Sequence, residues 1–241
     1  MTTADRLQRA VRRQTGLGRL LPLGGARDGA WIFEKAAEAV LRRAAEPVRD
    51  ARLGALRIGP AGPDAAEPVV PPPPSALPPG PLRITAECAA AGGEPLPVTA
   101  DRLRAALSAA SDHLGLTVTE VDLRVTALFD EDGSDEGPAP VRAPEPMPPA
   151  RPANPDEERV TAVALAVPGV AGLTGALGGP GRSVHVETRQ EGAALPHRHV
   201  RVEVAVAADH RAVEVAREVR ERVGRALADR PTVAVVVTSA G

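Results

Sequence analysis

Apolar residues recur along this chain with helical and strand spacing, and the patterns form two similar sets of predicted elements. In the first set, a helix from Trp31 ends before Pro47, and strands follow over 53–58 and 82–88. A second helix then carries an apolar face, and an alternating strand over 121–127 closes the set. That helical face consists of Leu103, Leu107, Ala110 and Leu114.

The second set repeats this order. Asn154 is a good N-cap for a helix that stops at Pro168, and an apolar segment over 174–177 and a strand over 183–189 come next. An alternating strand over 200–206, another helix and a strand over 233–237 complete the set. The helix places apolar residues at four-residue spacing on one stripe. The stripe consists of Val215, Val219, Val223 and Leu227.

Both sets read helix, strand, strand, helix, strand, which predicts an α+β fold of two tandem units. In each unit we expect a small sheet with helices on one face, and the crossover through the second helix makes its flanking strands parallel. The free face of each sheet is expected to meet the other unit. The predicted domains are a basic arm (1–29), a first repeat (30–129), an acidic proline-rich linker (130–154) and a second repeat (155–241).

Proline-rich tracts interrupt the pattern within the first repeat, over 60–81, and between the repeats. Each tract holds too few apolar residues to offset the entropy of ordering, so both are expected to be flexible spacers. The linker also begins with an acidic cluster. The cluster comprises Asp130, Glu131, Asp132, Asp135 and Glu136.

Composition narrows the possible functions. Aromatic residues make up 1% of the 241 residues, which argues against stacking on nucleic-acid bases. Cys88 is the only cysteine, so an intramolecular disulfide framework is excluded and a reducing compartment is indicated. No apolar stretch reaches the roughly 18 residues of a membrane span. We therefore expect a cytoplasmic protein, with attachment at the inner membrane face as a further option.

Residues 1–24 form a basic segment with rough helical spacing of apolar residues. Such a segment can lie on an anionic membrane surface, dock on its own protein or cap the first repeat. Gly16 and Gly18 weaken the helix. Weak peripheral membrane contact through residues 1–24 is therefore one of three expectations.

Candidate chemistry is sparse. His197 and His199 share one side of an extended stretch, and His185 on a neighbouring strand could approach them to form a three-imidazole metal site. No cysteine or paired carboxylate is spaced to complete that site. The glycine-rich residues 178–181 precede a strand and lack the lysine of a phosphate loop, which favours a turn. The sequence therefore predicts no catalytic, cofactor-binding or metal-binding residues.

The second repeat resembles the alkaline-shock/Gls-type envelope stress response family. The resemblance rests on Val167-Pro168-Gly169-Val170-Ala171-Gly172-Leu173, the strand over 200–206, the segment Ala216-Arg217-Glu218-Val219-Arg220 and the closing valine strand. Residues 30–129 resemble the same unit with Pro47-Val48 in place of Pro-Gly-Val. The resemblance implies a small, non-enzymatic bacterial protein, often held at the inner membrane face by a partner.

We therefore expect a non-catalytic envelope-stress or scaffold protein that acts through protein partners, including a membrane-anchored one. The alternative is a nucleic-acid-binding α+β module, because small α+β sheets bind RNA and the first 60 residues are basic. The scarcity of aromatics and the acidic middle of the chain argue against nucleic acid. The third hypothesis is that the protein is an enzyme, and a buried cluster of titratable residues in the structure would favour it.

Overall fold

The structure of the protein is a computed structural model that describes residues 18–129, 150–177, 181–190 and 196–241. Its elements in chain order are β1 (Leu20–Leu23), β2 (Ala30–Phe33), α1 (Glu34–Ala45), β3 (Ala51–Pro60), β4 (Leu82–Ala91), α2 (Leu96–Leu114), β5 (Val118–Phe129), α3 (Pro155–Leu165), β6 (Val170–Leu173), β7 (Val184–Arg189), β8 (His197–Val206), α4 (Ala212–Ala226) and β9 (Thr232–Ala240).

The first unit contains α1, β3, β4, α2 and β5, and its three strands form one sheet in the order β3-β4-β5. The pair β3 and β4 is antiparallel, whereas β4 and β5, which flank α2, are parallel. In the second unit, β6 and β7 pair antiparallel with successive parts of β8, and β8 is parallel to β9 across α4. The predicted α+β fold of two tandem units is confirmed.

Local sequence signals explain where the helices begin and end. The side chain of Asn154 accepts a hydrogen bond from the backbone N–H of Glu157 at 2.9 Å, and Pro155 occupies the first turn of α3. At the end of α2, Gly115 adopts a φ of 89°, which favours glycine. A Cβ at Gly115 would lie 2.4 Å from the side chain of Val213, so this glycine also permits close contact between the units.

The hairpin β1–β2 belongs to the sheet of the second unit, although it precedes the first unit in the chain. Ala30, Trp31 and Ile32 pair in parallel with β9, which gives the strand order β1-β2-β9-β8-β6. The predicted helix from Trp31 therefore begins at Glu34 instead, and residues 20–29, assigned to the basic arm, form strand β1 and the turn that leads to β2. Trp31 and Phe33 are both buried, which explains why an apolar strand forms here.

The proline-rich segment 60–81 packs against that hairpin, which corrects the expectation of a flexible spacer. The N–H of Val69 donates to the carbonyl of Ala26 at 3.0 Å, and the N–H of Leu77 donates to that of Leu20 at 2.8 Å. The indole N–H of Trp31 also donates to the Leu77 carbonyl at 3.3 Å. These bonds and the buried Val70 order a segment that has few other apolar residues.

The two units meet through helix α1 and through the end of α2. Helix α1 contacts β3 of its own sheet and also β2 and β9 of the other sheet, and one hydrophobic core continues through both units. The helix-free face of the first sheet meets solvent, so the expectation that it covers the second unit is wrong. Polar residues occupy many of the alternate positions on this face. Exposed examples are Arg57, Thr85, Glu87 and Arg124.

Several expectations fall outside the described residues. These are residues 1–17 of the N-terminal arm, 130–149 of the linker and 178–180 of the glycine-rich turn. Among the helices that the structure describes, none is both long and apolar enough to cross a membrane.

Candidate functional site

A row of buried ionisable side chains lies on one face of β8. His199, Arg201 and Glu203 alternate with valines, so they share the face opposite Val200 and Val202. The valine face carries α4, because a Cβ at Gly224 of that helix would lie 3.9 Å from Val233, the partner of Val200. His199 is 3% exposed and Glu203 is fully buried. The row thus places an imidazole, a guanidinium and a carboxyl group together on one largely covered face of the sheet.

The carboxylate of Glu203 accepts hydrogen bonds from the segment that joins β6 to β7. The backbone N–H groups of Ala176 and Leu177 both donate to it, the latter at 3.1 Å. Burial raises the pKa of Glu203 to about 7, although these amides and Arg201 act in the opposite direction. Glu203 therefore changes its charge near neutral pH.

Burial also disfavours the charged forms of the other two side chains in the row, Arg201 and His199. The Arg201 Nε atom is buried without a hydrogen-bond partner among the described residues, and it lies 3.8 Å from Glu203 Oε1. Burial lowers the pKa of Arg201. His199 Nδ1 lies 2.8 Å from the hydroxyl of Thr232, and burial, together with nearby Arg189, lowers the pKa of His199 to about 4.

The three histidines of the conceivable metal site share this face without converging. In the pairing of β7 with β8, His199 lies opposite Glu187, His197 opposite Arg189 and His185 opposite Arg201. Two of the three imidazoles thus face arginines, and in the described ranges no three potential ligands come together as a metal group. His185, His197 and His199 therefore lie on one face of the sheet but do not surround a common point.

The cluster fits a structural role best. Glu203 holds the β6–β7 connection by accepting hydrogen bonds from two backbone N–H groups, and its side chain is fully buried. Gly175 belongs to the same connection, because a Cβ there would lie 2.3 Å from the backbone of Gly181. The buried Glu203 side chain therefore fixes the position of a tightly folded connection between β6 and β7.

Strand β5 provides a different kind of site, an open sheet edge. It is 12 residues long, and its described neighbours in the sheet lie on one side only. Most of its residues are exposed, including the apolar Val125 at 39% and Leu128 at 65%. A long, exposed edge with apolar side chains is a template for pairing with another strand.

The backbone groups that face outward from this edge follow from the bonding of β4. Pro81 and Ala91 bond towards β3, whereas Leu82 and Gly92 bond to Thr117 and Phe129 on the β5 side. Even-numbered residues of β4 therefore bond to β5. Because parallel pairing uses alternate residues, the backbone groups of Val121, Leu123 and Val125 point to the open edge.

Charged residues of β5 lie on the helix-free face. Asp122 is 3.5 Å from Arg83 of β4, and Arg83 also pairs with Glu120. Arg124 makes no ion pair with any residue that the structure describes. The edge thus carries an acid and a base two positions apart, Asp122 and Arg124.

The N-terminal segment is less available to a membrane than expected. Leu20 and Leu21, two apolar residues of the basic amphipathic pattern, are buried in β1. These leucines are therefore not available as an apolar membrane-facing side, and residues 1–17 of the segment lie outside the described ranges.

Comparison with known proteins adds no assignment. The chain matches no protein-family model and no curated protein. The candidate sites are therefore defined by the geometry of this chain alone.

Proposed function

We propose that this protein is a non-catalytic scaffold of the envelope-stress-response type and acts through protein–protein contacts. The observation that carries the proposal is the open edge of β5, with Val125 and Leu128 exposed beside outward-facing backbone groups. An extended segment of a partner can add to such an edge, where main-chain hydrogen bonds supply affinity and side-chain contacts supply specificity.

The turn after α3 supports the link to the alkaline-shock/Gls-type family. Helix α3 ends at Leu165, Gly169 adopts a φ of 87°, and β6 begins at Val170. A Cβ at Gly169 would lie 2.7 Å from the ring of His210, so both conformation and space favour glycine in this Pro-Gly-Val turn. We further propose that a membrane-anchored partner holds the protein at the inner membrane face.

Affinity capture from the native cell tests the function when two variants accompany the wild type. Val125→Lys places a charge on the open edge and should remove the captured envelope proteins. Arg57→Asp changes a charge on the exposed face of β3, away from that edge, and should leave the captured set unchanged. Recovery of no envelope protein, or of the same set with Val125→Lys, would count against the proposal.

A further inference from the structure

We propose that a second copy of this chain binds the open edge of β5. The two β5 strands run antiparallel about a twofold axis at Leu123, and Asp122 of each copy lies opposite Arg124 of the other. The inference rests on the proposed function, because the second copy uses the same edge as the partner segment and competes with it. The result is a continuous six-stranded sheet made of two first-unit sheets.

The hydrogen-bonding phase of the edge fits this register. Directly opposed residues in an antiparallel pair exchange hydrogen bonds only when their backbone groups point at each other. In the proposed register Leu123 faces Leu123 and Val121 faces Val125. The backbone N–H and C=O groups of all these residues point to the open edge. Asp122 and Arg124, whose backbone groups bond to β4, then form the pairs without backbone bonds, in which side chains approach most closely.

Charge selects this register among those with the same phase. Sliding one strand by two residues in one direction sets Asp122 opposite Asp122, and sliding it the other way sets Arg124 opposite Arg124. Both shifts oppose like charges directly, which destabilises an antiparallel pair. Only the register centred on Leu123 gives two Asp122–Arg124 pairs at the centre of the interface.

The apolar side chains and the strand irregularities match in the same register. Val121 and Val125 lie on the side of the sheet that carries α2, because their partners Ile84 and Cys88 are buried there. Val118 of one copy would meet the exposed Leu128 of the other. The pairing of β5 with β4 is irregular near Glu120 and again near Ala127. In the proposed dimer, the irregular region near Glu120 of one copy lies opposite the irregular region near Ala127 of the other.

The test is the molecular mass of the full chain in solution, measured by light scattering and sedimentation over a concentration series. The wild type should approach twice the chain mass of 24.8 kDa. Arg124→Asp should raise the dimer dissociation constant roughly 30-fold, since two attractive pairs become two repulsive ones. Adding Asp122→Arg to that variant should restore the dimer. Arg57→Asp is the matched control and should remain dimeric.

A disulfide test fixes the register. Leu123→Cys should cross-link between copies on oxidation, because residue 123 lies opposite itself, whereas Val125→Cys should not. A monomeric wild type at every concentration, or a dimer unaffected by Arg124→Asp, would overturn the inference. If the wild type is monomeric but captures envelope proteins, the proposed function stands and the dimer inference fails. If the charge-reversed double variant restores the dimer but the protein captures no envelope protein, the dimer inference stands and the proposed function fails.

Discussion

The buried side chains of Glu203 and His199 should change the free energy of unfolding in opposite directions as pH rises, and replacing Glu203 with Gln should leave only the His199 effect. The pKa of Glu203 rises on folding from 4.5 to about 7, so its contribution to stability is greatest at low pH and is lost as pH rises through 7. The pKa of His199 falls from 6.5 to about 4, so its contribution is present above 6.5 and is lost on acidification.

The magnitudes follow from these values. Between about pH 5.5 and 8.5, the Glu203 contribution to the free energy of unfolding should fall by about 2 kcal/mol. Over the same range the His199 contribution should rise by about 1.4 kcal/mol. The wild type should therefore show a nearly flat profile, because the two changes offset each other.

Single substitutions should expose the two slopes. Glu203→Gln keeps a carbonyl acceptor for the amides of Ala176 and Leu177, and its stability should increase with pH. His199→Gln keeps a partner for Thr232, and its stability should decrease with pH.

Urea unfolding at a series of pH values measures these slopes. Glu187→Gln is the control, because burial raises the pKa of this carboxyl but Arg189 and the neighbouring cations outweigh burial, so its pKa lies below the ordinary value and below the range. Parallel profiles for the wild type and both buried-site variants would refute the reasoning.

Two further substitutions test the core and the proline-rich segment. Val219→Asp should reduce stability by more than about 3 kcal/mol, because Val219 is fully buried on α4 and the carboxylate would have no partner; an unchanged urea midpoint would contradict this, and Glu218→Ala on the exposed side is the control. Trp31→Phe removes the hydrogen bond to Leu77 and should cost about 1 kcal/mol or more, with faster proteolysis within 60–81; an unchanged cleavage rate would show that the bond does not hold the segment.

Local patterns sufficed to predict most of the helices and strands, because periodicity depends on neighbours in the sequence. The buried stripe Val215, Val219 and Val223 on α4 is an example. The position of β2 could not be predicted in this way. Trp31 and Phe33 fit either a helix or a strand, and their choice depends on β9 at the other end of the chain.

The candidate site was harder to predict. The alternation of Val200–Val206 indicates that Arg201 and Glu203 face solvent, yet Glu203 is fully buried. One signal was present: residues 233–237 are apolar on both faces, and a strand parallel to β8 with that pattern implies a sheet covered on both sides. The β6–β7 connection that bonds Glu203 has no such signal, since its contacts are made by backbone amides.

The pairing of β2 with β9 has a consequence for synthesis of the chain. These strands are some 200 residues apart, so the hairpin that contains Trp31 has no sheet to join until the last strand has left the ribosome. Until then the edge of β2 that pairs with β9 has no partner strand in the nascent chain. Because closing so long a loop slows folding, we expect Trp31 fluorescence to report the final, slow step of refolding and the hairpin to be a target for chaperones.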